Sequence, residues 1–279
     1  MRRVSRVVRT ACGLGLAAAS VALPRAALSK ATCPDGRAPI FLTFDTGSES
    51  QAQLIHDVLS KHRAKATFFL ANEKTVRGDW SLDTAWAPYW KTLVAEGHAF
   101  GTHTFDHVYW RGDEHGARGE RGDGVDRVRV RPQFGAAAGR TLSWTAADYC
   151  GELERVAQRF ETLTGAKLDP FWRAPGGHVS ARLVGFARSC GYRHFGWDAS
   201  GFLGDELPSD RYPNADLLAR AERDLKAGDI VLMHLGIWSR KEPLAPILDP
   251  LLTALEARGH CFATLRDHPS QTSSSGARS

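Results

Sequence analysis

Short apolar runs alternate along this chain with amphipathic stretches of helical spacing, and that alternation restricts the fold more than any other feature. Runs at 40–45 (IFLTFD), 66–71 (ATFFLA), 98–103, 170–173, 192–197, 229–234 (DIVLMH) and 261–265 read as strands. Helical periodicity fills 51–62, where Leu54, Ile55, Val58 and Leu59 share a face, and then 83–96, 146–163, 181–190, 215–227 and 246–258. Gly97, Gly191 and Gly228 stand where three of these helices end. Strands that are apolar throughout need cover on both faces, so the order strand, helix, strand implies a parallel sheet wrapped by helices. The predicted fold is α/β, a distorted seven-stranded (β/α) barrel.

The N-terminus follows other rules. Arg2, Arg3, Arg6 and Arg9 precede an Ala-, Gly- and Leu-rich run at 11–23, and small residues follow at Ala26, Ala27, Ser29 and Ala31. This is the pattern of a secretory leader, and its apolar run is too short to remain as a spanning helix. Residues 1–31 are predicted to be a signal peptide cleaved after Ala31, in preference to an uncleaved amphipathic anchor. The residues flanking Arg2-Arg3 fit a twin-arginine signal poorly, and no acylation pattern precedes Cys33. Six of the 36 basic residues and none of the 31 acidic ones lie in this leader, so its removal takes the formal charge from +5 to −1. The sequence pI of about 9.1 therefore belongs largely to the leader and gives no reason to expect a nucleic-acid partner. A periplasmic or secreted protein without a membrane span is expected.

A domain over 32–269 is interrupted at 110–145 by a Gly-, Arg- and Asp-rich insertion that is too long for an ordinary connection. It follows directly on a His-rich segment, so it either lines the site there or is a solvated loop. The polar tail at 270–279 reads as disordered. With Cys12 removed in the leader, Cys33, Cys150, Cys190 and Cys261 remain, an even number that an exported protein can oxidise. If the barrel closes, Cys33 before the first strand and Cys261 at the last are neighbours, which predicts a Cys33–Cys261 disulfide.

The C-terminal ends of the strands carry the chemistry. In barrels of this kind the loops at that rim vary while the strands hold reactive groups still. Asp45 ends the first strand and is followed by a Thr-Gly turn; Asp in that position is also a common turn cap. His103 and His107 lie four apart, so a helical turn would put both on one face, a spacing that suits a divalent transition metal such as zinc. Arg173 closes the strand before Pro175-Gly176-Gly177 and can brace a carboxylate. His234 ends the sixth strand, where an imidazole can donate a proton. Each alone has a bland structural reading. Together they supply a Lewis-acid site, a base for water, a charged orienter and an acid for a leaving group, which is the inventory of a metal-assisted hydrolase.

In sequence and order, TFDTG, HTFDH, RAPGG and VLMHLG resemble the motifs of the polysaccharide deacetylase family, the NodB-homology domain of carbohydrate esterase family 4, over about 39–265. The resemblance implies a hydrolase acting on carbon–nitrogen (non-peptide) bonds, with Asp45 as base, His103 and His107 as metal ligands, Arg173 holding the base and His234 as the acid that protonates the leaving amine. It implies a divalent metal, Zn2+ before others, and an N-acetylated glycan such as peptidoglycan or poly-N-acetylglucosamine as substrate. Two departures stand out. Thr46 occupies the position of the family's second Asp, the third metal ligand, and brings no charge to a cation. The Asp-Trp pair that tunes the acid is replaced by GWDASGFLGDE, where Asp198 or Asp205 is the candidate and the Gly-flanked Asp205 is preferred. His178 and Val179 replace the usual aromatic after the third motif, which leaves the oxyanion N–H unassigned. Pro175, Trp197, Phe202 and Trp238 are expected to line the acetyl group or stack on a sugar face, although core packing is an equal reading for Trp197. Two rival functions share these residues: hydrolysis of another C–N bond, such as a sugar formamide, and glycan binding without turnover, which Thr46 motivates.

Overall fold

The structure is a computed structural model that describes residues 33–34, 36–115 and 124–270. The leader, the centre of the 110–145 insertion and residues 271–279 of the tail lie outside the described residues. In chain order the strands are β1 (Phe41–Asp45), β2 (Ala66–Leu70), β3 (Ala99–Thr102), β4 (Val108–Glu114), β5 (Arg127–Pro132), β6 (Leu142–Trp144), β7 (Phe171–Trp172), β8 (Arg193–His194) and β9 (Ile230–His234). The helices are α1 (Ala52–Lys61), α2 (Ala87–Ala95), α3 (Ala146–Thr164), α4 (Ala181–Ser189), α5 (Asn214–Asp224) and α6 (Leu248–Ala257).

Six strands form a parallel sheet in the order β8-β7-β3-β2-β1-β9. Every residue of β1, β2 and β3 is buried, as strands apolar on both faces require. Alternate residues divide between two cores. Phe44, Phe68 and Phe100 are register partners on adjacent strands. Phe68 stacks on Phe44 at 5.5 Å and on Phe100 at 5.6 Å, beneath α1, α2 and α6. Their neighbours Phe41 and Phe69 point the other way and meet Phe171, Phe195 and Leu265 inside the curled sheet. Removing one of these buried rings would cost about 3–5 kcal/mol, so the two-sided pattern fixes which residues reach each strand's end.

The seventh predicted strand is the principal difference. Residues 261–265 make only an isolated parallel bridge, Ile40 to Phe262, at the start of β1. A single-turn helix begins at Leu265 and ends the pairing. The gap between β8 and β9 is spanned by irregular backbone: Leu232 N–H donates to Gly201 O at 2.9 Å, and Phe202 bridges Leu232. The Cys33–Cys261 disulfide is present, with Cα atoms 5.4 Å apart, because the first and last segments lie side by side. Cys150 and Cys190 form a second disulfide, tying α3 to the end of α4.

The described part of the insertion is structured. Strands β4, β5 and β6 form an antiparallel sheet in that order, which packs Val108, Val128 and Val130 against Tyr149, Leu153 and Trp172. The alternation of DRVRVRP, with valines inward and arginines outward, is a period-2 signal for this strand. Helix α3 follows, capped by a reciprocal Thr145–Asp148 box and closed by Gly165 at φ 77°.

Candidate active site

The ends of β1 and β9 meet first. Asp45 and His234 are register partners on these adjacent strands, which puts their backbones about 4.8 Å apart. The turns that follow are packed against each other: Ser48 N–H donates to Gly236 O at 2.9 Å, and a Cβ on Gly47 would sit 2.3 Å from that same oxygen. Only glycine permits this approach.

Arg173 is fully buried beneath the rim. Its Nη1 donates to Asp45 Oδ1 at 2.7 Å, its Nε to Phe195 O at 3.1 Å and its Nη2 to Gly196 O at 2.9 Å. Its guanidinium stacks on Phe69, 4.2 Å from the ring centroid. Burial alone would raise the Asp45 carboxyl, but the charge of Arg173, helped by His103 and His234, outweighs it and holds the group below its ordinary value. Asp45 is therefore a buried, ionised carboxylate.

His234 has a different partner. Its Nδ1 donates to Asp205 Oδ2 at 3.1 Å, and its backbone N–H donates to the same oxygen at 2.6 Å. Burial opposes the imidazolium, but Asp205, then Asp45 and Glu206, raise it to about 10. Asp198 lies at the other end of the strand, accepting from Ile230 N–H at 2.8 Å.

The His103–His107 pair stands on an irregular turn and not on the helical turn that the spacing suggests. Thr104 and His107 adopt φ of 62° and 48°, left-handed values that β-branched and bulky residues rarely take. The turn is braced by Val108 N–H to Thr104 Oγ1 at 2.7 Å, Asp106 N–H to Glu152 Oε2 at 2.9 Å and Arg155 to Asp106 at 2.9 Å. The inserted sheet adds Gln133 N–H to His107 O at 3.2 Å and the Tyr109 ring against His107 at 5.0 Å. The two imidazole centroids are 4.9 Å apart.

The donor chemistry fits a divalent cation. His103 Nδ1 faces Arg173 O at 2.9 Å; a carbonyl only accepts, so Nδ1 carries the proton and Nε2 presents a lone pair. That Nε2 lies 3.5 Å from Asp45 Oδ2. Burial drives the His103 imidazole down to about 3, so a lone pair faces an ionised oxygen, an arrangement that a cation relieves. His107 is nine-tenths buried and its Nδ1 has no partner. Thr46, just past the end of β1 and two strands from β3, is buried. Its Oγ1 accepts from Ala71 N–H at 2.9 Å and donates to Glu73 Oε1 at 2.9 Å. Among the described residues no group of three or more His, Cys, Asp or Glu side chains is placed to hold a metal ion; the rim brings two histidines and the neutral Thr46.

The residues expected to line the substrate site are spread more widely. Pro175 is buried in the turn after Arg173, and a Cβ on Gly177 would meet the Trp197 ring at 2.4 Å, so the PGG turn and Trp197 are packed together. Phe202 is half-buried and paired onto the edge of β9, while Trp238 is 62% exposed in the loop beyond it.

Three carboxylates and a tyrosine at this rim are absent from the sequence reading. Glu49, at φ 55°, is 3% exposed and neither oxygen has a hydrogen-bond partner. Burial, reinforced by Glu73, pushes it well above its ordinary value. Glu206 Oε1 lies 3.9 Å from His234 Nε2, and Tyr109 covers His107. Glu73 follows β2, a strand end beside Asp45 and His103 at which the sequence reading names no reactive group.

With this geometry in place, the comparisons with known proteins are decisive for class. The sequence profile described as polysaccharide deacetylase matches residues 33–195. The chain belongs to the polysaccharide deacetylase family, hydrolases that act on carbon–nitrogen bonds. The peptidoglycan-N-acetylglucosamine deacetylase of Bacillus cereus is 23% identical over 244 residues, 84% of this chain and 89% of that protein. The peptidoglycan-N-acetylmuramic acid deacetylase PdaA of Bacillus subtilis is 25% identical over 232 residues, 82% of this chain and 70% of its own. Among solved structures, a carbohydrate esterase family 4 pseudoenzyme from Bacillus anthracis has the same fold, with a TM-score of 0.58 at 19% identity, covering 83% of this chain and 65% of that one. A pseudoenzyme on this fold separates architecture from turnover, so the case for activity has to come from the site.

Proposed function

We propose that this protein is an exported, metal-dependent deacetylase that removes acetyl groups from N-acetylated amino sugars in a cell-wall polymer of the peptidoglycan or poly-N-acetylglucosamine type. The observation that carries the reading is the pairing of Asp45 with His234 at the ends of adjacent strands, one held ionised and the other held protonated. A base and an acid of these states, side by side, suit hydrolysis of an amide.

His103, His107 and the Thr46 position would hold the divalent cation, zinc, which when bound supplies Lewis acidity to the scissile carbonyl and its attacking water. Asp45 takes the proton from that water, and Arg173 fixes which carboxylate oxygen is free to do so. His234 gives its proton to the departing amine, and Asp205 keeps the ring charged and oriented for that step. Pro175, Trp197, Phe202 and Trp238 contact the acetyl group or the sugar. The leader at 1–31 and the cell-wall activities named for the two relatives support a periplasmic or secreted location. Among the described residues no helix is long and apolar enough to cross a membrane.

The test is acetate release from N-acetylated glycans by the wild type and by Asp45→Asn. The wild type should release acetate and the variant should be slower by about 10²–10⁴-fold, the range of a lost general base; equal release by both rules out the assigned base. Thr46 and the pseudoenzyme neighbour favour one second reading, a glycan-binding module without turnover. Binding of chitooligosaccharides by a wild type that releases neither acetate nor formate would establish it.

A further inference from the structure

We infer that Arg111 and Arg131, on the outer face of the inserted sheet, form a subsite for a carboxylate that the amino-sugar polymer carries near the acetamide under attack. This deepens the deacetylase reading above and rests on it, since it separates acidic polymers of that class from neutral poly-N-acetylglucosamine. Alternation along the strands sets the face. Val108 and Trp110 of β4 and Val128 and Val130 of β5 pack into the inner core, so Tyr109, Arg111, Arg129 and Arg131 point outward. Arg131 is the register partner of Tyr109, and the Arg111 guanidinium lies over the Tyr109 ring, 5.1 Å from its centroid.

Tyr109, Arg111 and Arg131 line a cavity of about 230 Å³ together with Pro132, Gln133 and Gly139. That is small for a sugar chain and large enough for a charged substituent. The cavity adjoins the His103–His107 turn. Tyr109 OH donates to Gln133 Oε1 at 3.1 Å, the same ring meets His107 at 5.0 Å, and Gln133 N–H donates to His107 O at 3.2 Å. A Cβ on Gly176 would lie 3.2 Å from the Tyr109 ring, so this ring also packs on the turn after Arg173. Tyr109 is therefore shared between the cavity and the catalytic rim. Burial, then Glu73 and Glu206, raise its phenol, and Arg111 opposes them. Charge pairing singles out two of the arginines. Arg129 Nε faces Glu114 Oε1 at 3.7 Å, whereas neither Arg111 nor Arg131 has a carboxylate partner among the described residues. A guanidinium matches a carboxylate with two parallel N–H donors, and two of them lining one small cavity favour an anion over a sugar hydroxyl.

The carboxylate can belong to the lactyl group of muramic acid or to an attached peptide, and the experiment separates the two. Acetate release is measured on glycan strands stripped of peptide, whose lactyl carboxylates are free, and on strands bearing peptides, whose lactyl groups are tied up as amides. Each preparation is also tested with its carboxylates converted to amides. The proteins are the wild type, Arg111→Gln combined with Arg131→Gln, and Arg129→Gln as a control for loss of an outward charge. We expect the wild type to favour one free-acid preparation over its amidated form by about fivefold or more in kcat/KM, the scale of two part-exposed charged pairs, and mainly through KM. The double variant should bring that ratio to within about twofold of unity, the spread expected when no charged pair is made, while Arg129→Gln keeps the wild-type ratio. The preparation that shows the preference identifies the source of the carboxylate. A wild type indifferent to amidation of both preparations, or a double variant that keeps the preference, overturns the subsite and leaves the deacetylase reading intact. A wild type that releases no acetate from any preparation overturns the deacetylase reading. The same ratio read as Kd by calorimetry then decides the subsite: a preference lost in the double variant supports it, and no preference overturns it.

Discussion

The two sides of the rim place a buried histidine beside a carboxylate and obtain opposite results. On the β3 side, His103 lies 3.5 Å from Asp45 and is driven down to about 3. On the β9 side, His234 lies 3.1 Å from Asp205 and is driven up to about 10. Burial opposes the charged ring in both. The difference is what else each ring faces. At His103 the charges of His107 and Arg173 work with burial against the attraction of Asp45, so burial wins. Asp205 pairs with no arginine among the described residues, and Asp45 and Glu206 add their charge to its own, so attraction wins. One side thereby presents a neutral imidazole with a free lone pair, and the other a protonated ring.

Removing the charge that separates the two sides should have the largest effect. Arg173→Met leaves Asp45 buried without its cation, a loss of about 3–5 kcal/mol. For a domain of this size that is roughly a 10 °C fall in Tm, read by calorimetry. Asp45 then titrates higher, so the acid limb of the kcat/KM profile moves to higher pH; a Tm within about 2 °C of wild type would break the comparison. The next effect is on the other side. Asp205→Asn takes away the main support of the imidazolium, so the His234 value drops and the alkaline limb of kcat/KM moves to lower pH. Activity near neutrality should fall by about 10–100-fold, below the roughly 10²–10⁴-fold of losing the acid outright because the ring itself remains. The sign for stability follows from the same raised value. The His234–Asp205 pair stabilises fully below the ordinary 6.5 and is lost as pH rises through about 10, so the variant's Tm deficit should be larger at pH 6 than at pH 10.

Which parts of this are legible in the sequence depends on how local the signal is. Strands buried on both faces announce themselves as apolar runs, and the residues at their ends follow by counting, which is how Asp45, His103, Arg173 and His234 can be found together. The seventh strand is an overreading because CFATL is apolar enough to pair, whereas its pairing ends at Phe262 once Leu265 starts a helical turn. The period-2 valines of β5 are present but hidden within a run of arginines and glycines. The His103–His107 turn depends on left-handed residues held by Glu152 and Arg155 from α3, contacts far away in sequence. Glu73 can be found by treating the end of β2 like the other strand ends. Glu49 cannot, since only tertiary packing strips its carboxylate of partners.

The smallest effect sharpens the same comparison by asking whether burial or distance sets a carboxylate's influence on His234. Glu206 lies 3.9 Å from Nε2, but its side chain is 52% exposed, against 5% for Asp205. An exposed pair contributes about 0–1 kcal/mol, so Glu206→Gln should move the alkaline limb in the same direction as Asp205→Asn but by only a few tenths of a pH unit. That shift should fade in 1 M salt, where the screening length is about 3 Å, while the Asp205→Asn shift persists. The asymmetry has a chemical reason. Nδ1 is held by Asp205, whereas in the proposed reaction Nε2 is the atom that would face the leaving amine, and a strong partner there would keep the proton that step needs. Shifts of equal size from the two variants would mean that the buried carboxylate has no special hold on the ring, and that the contrast between the two sides of the rim has another cause.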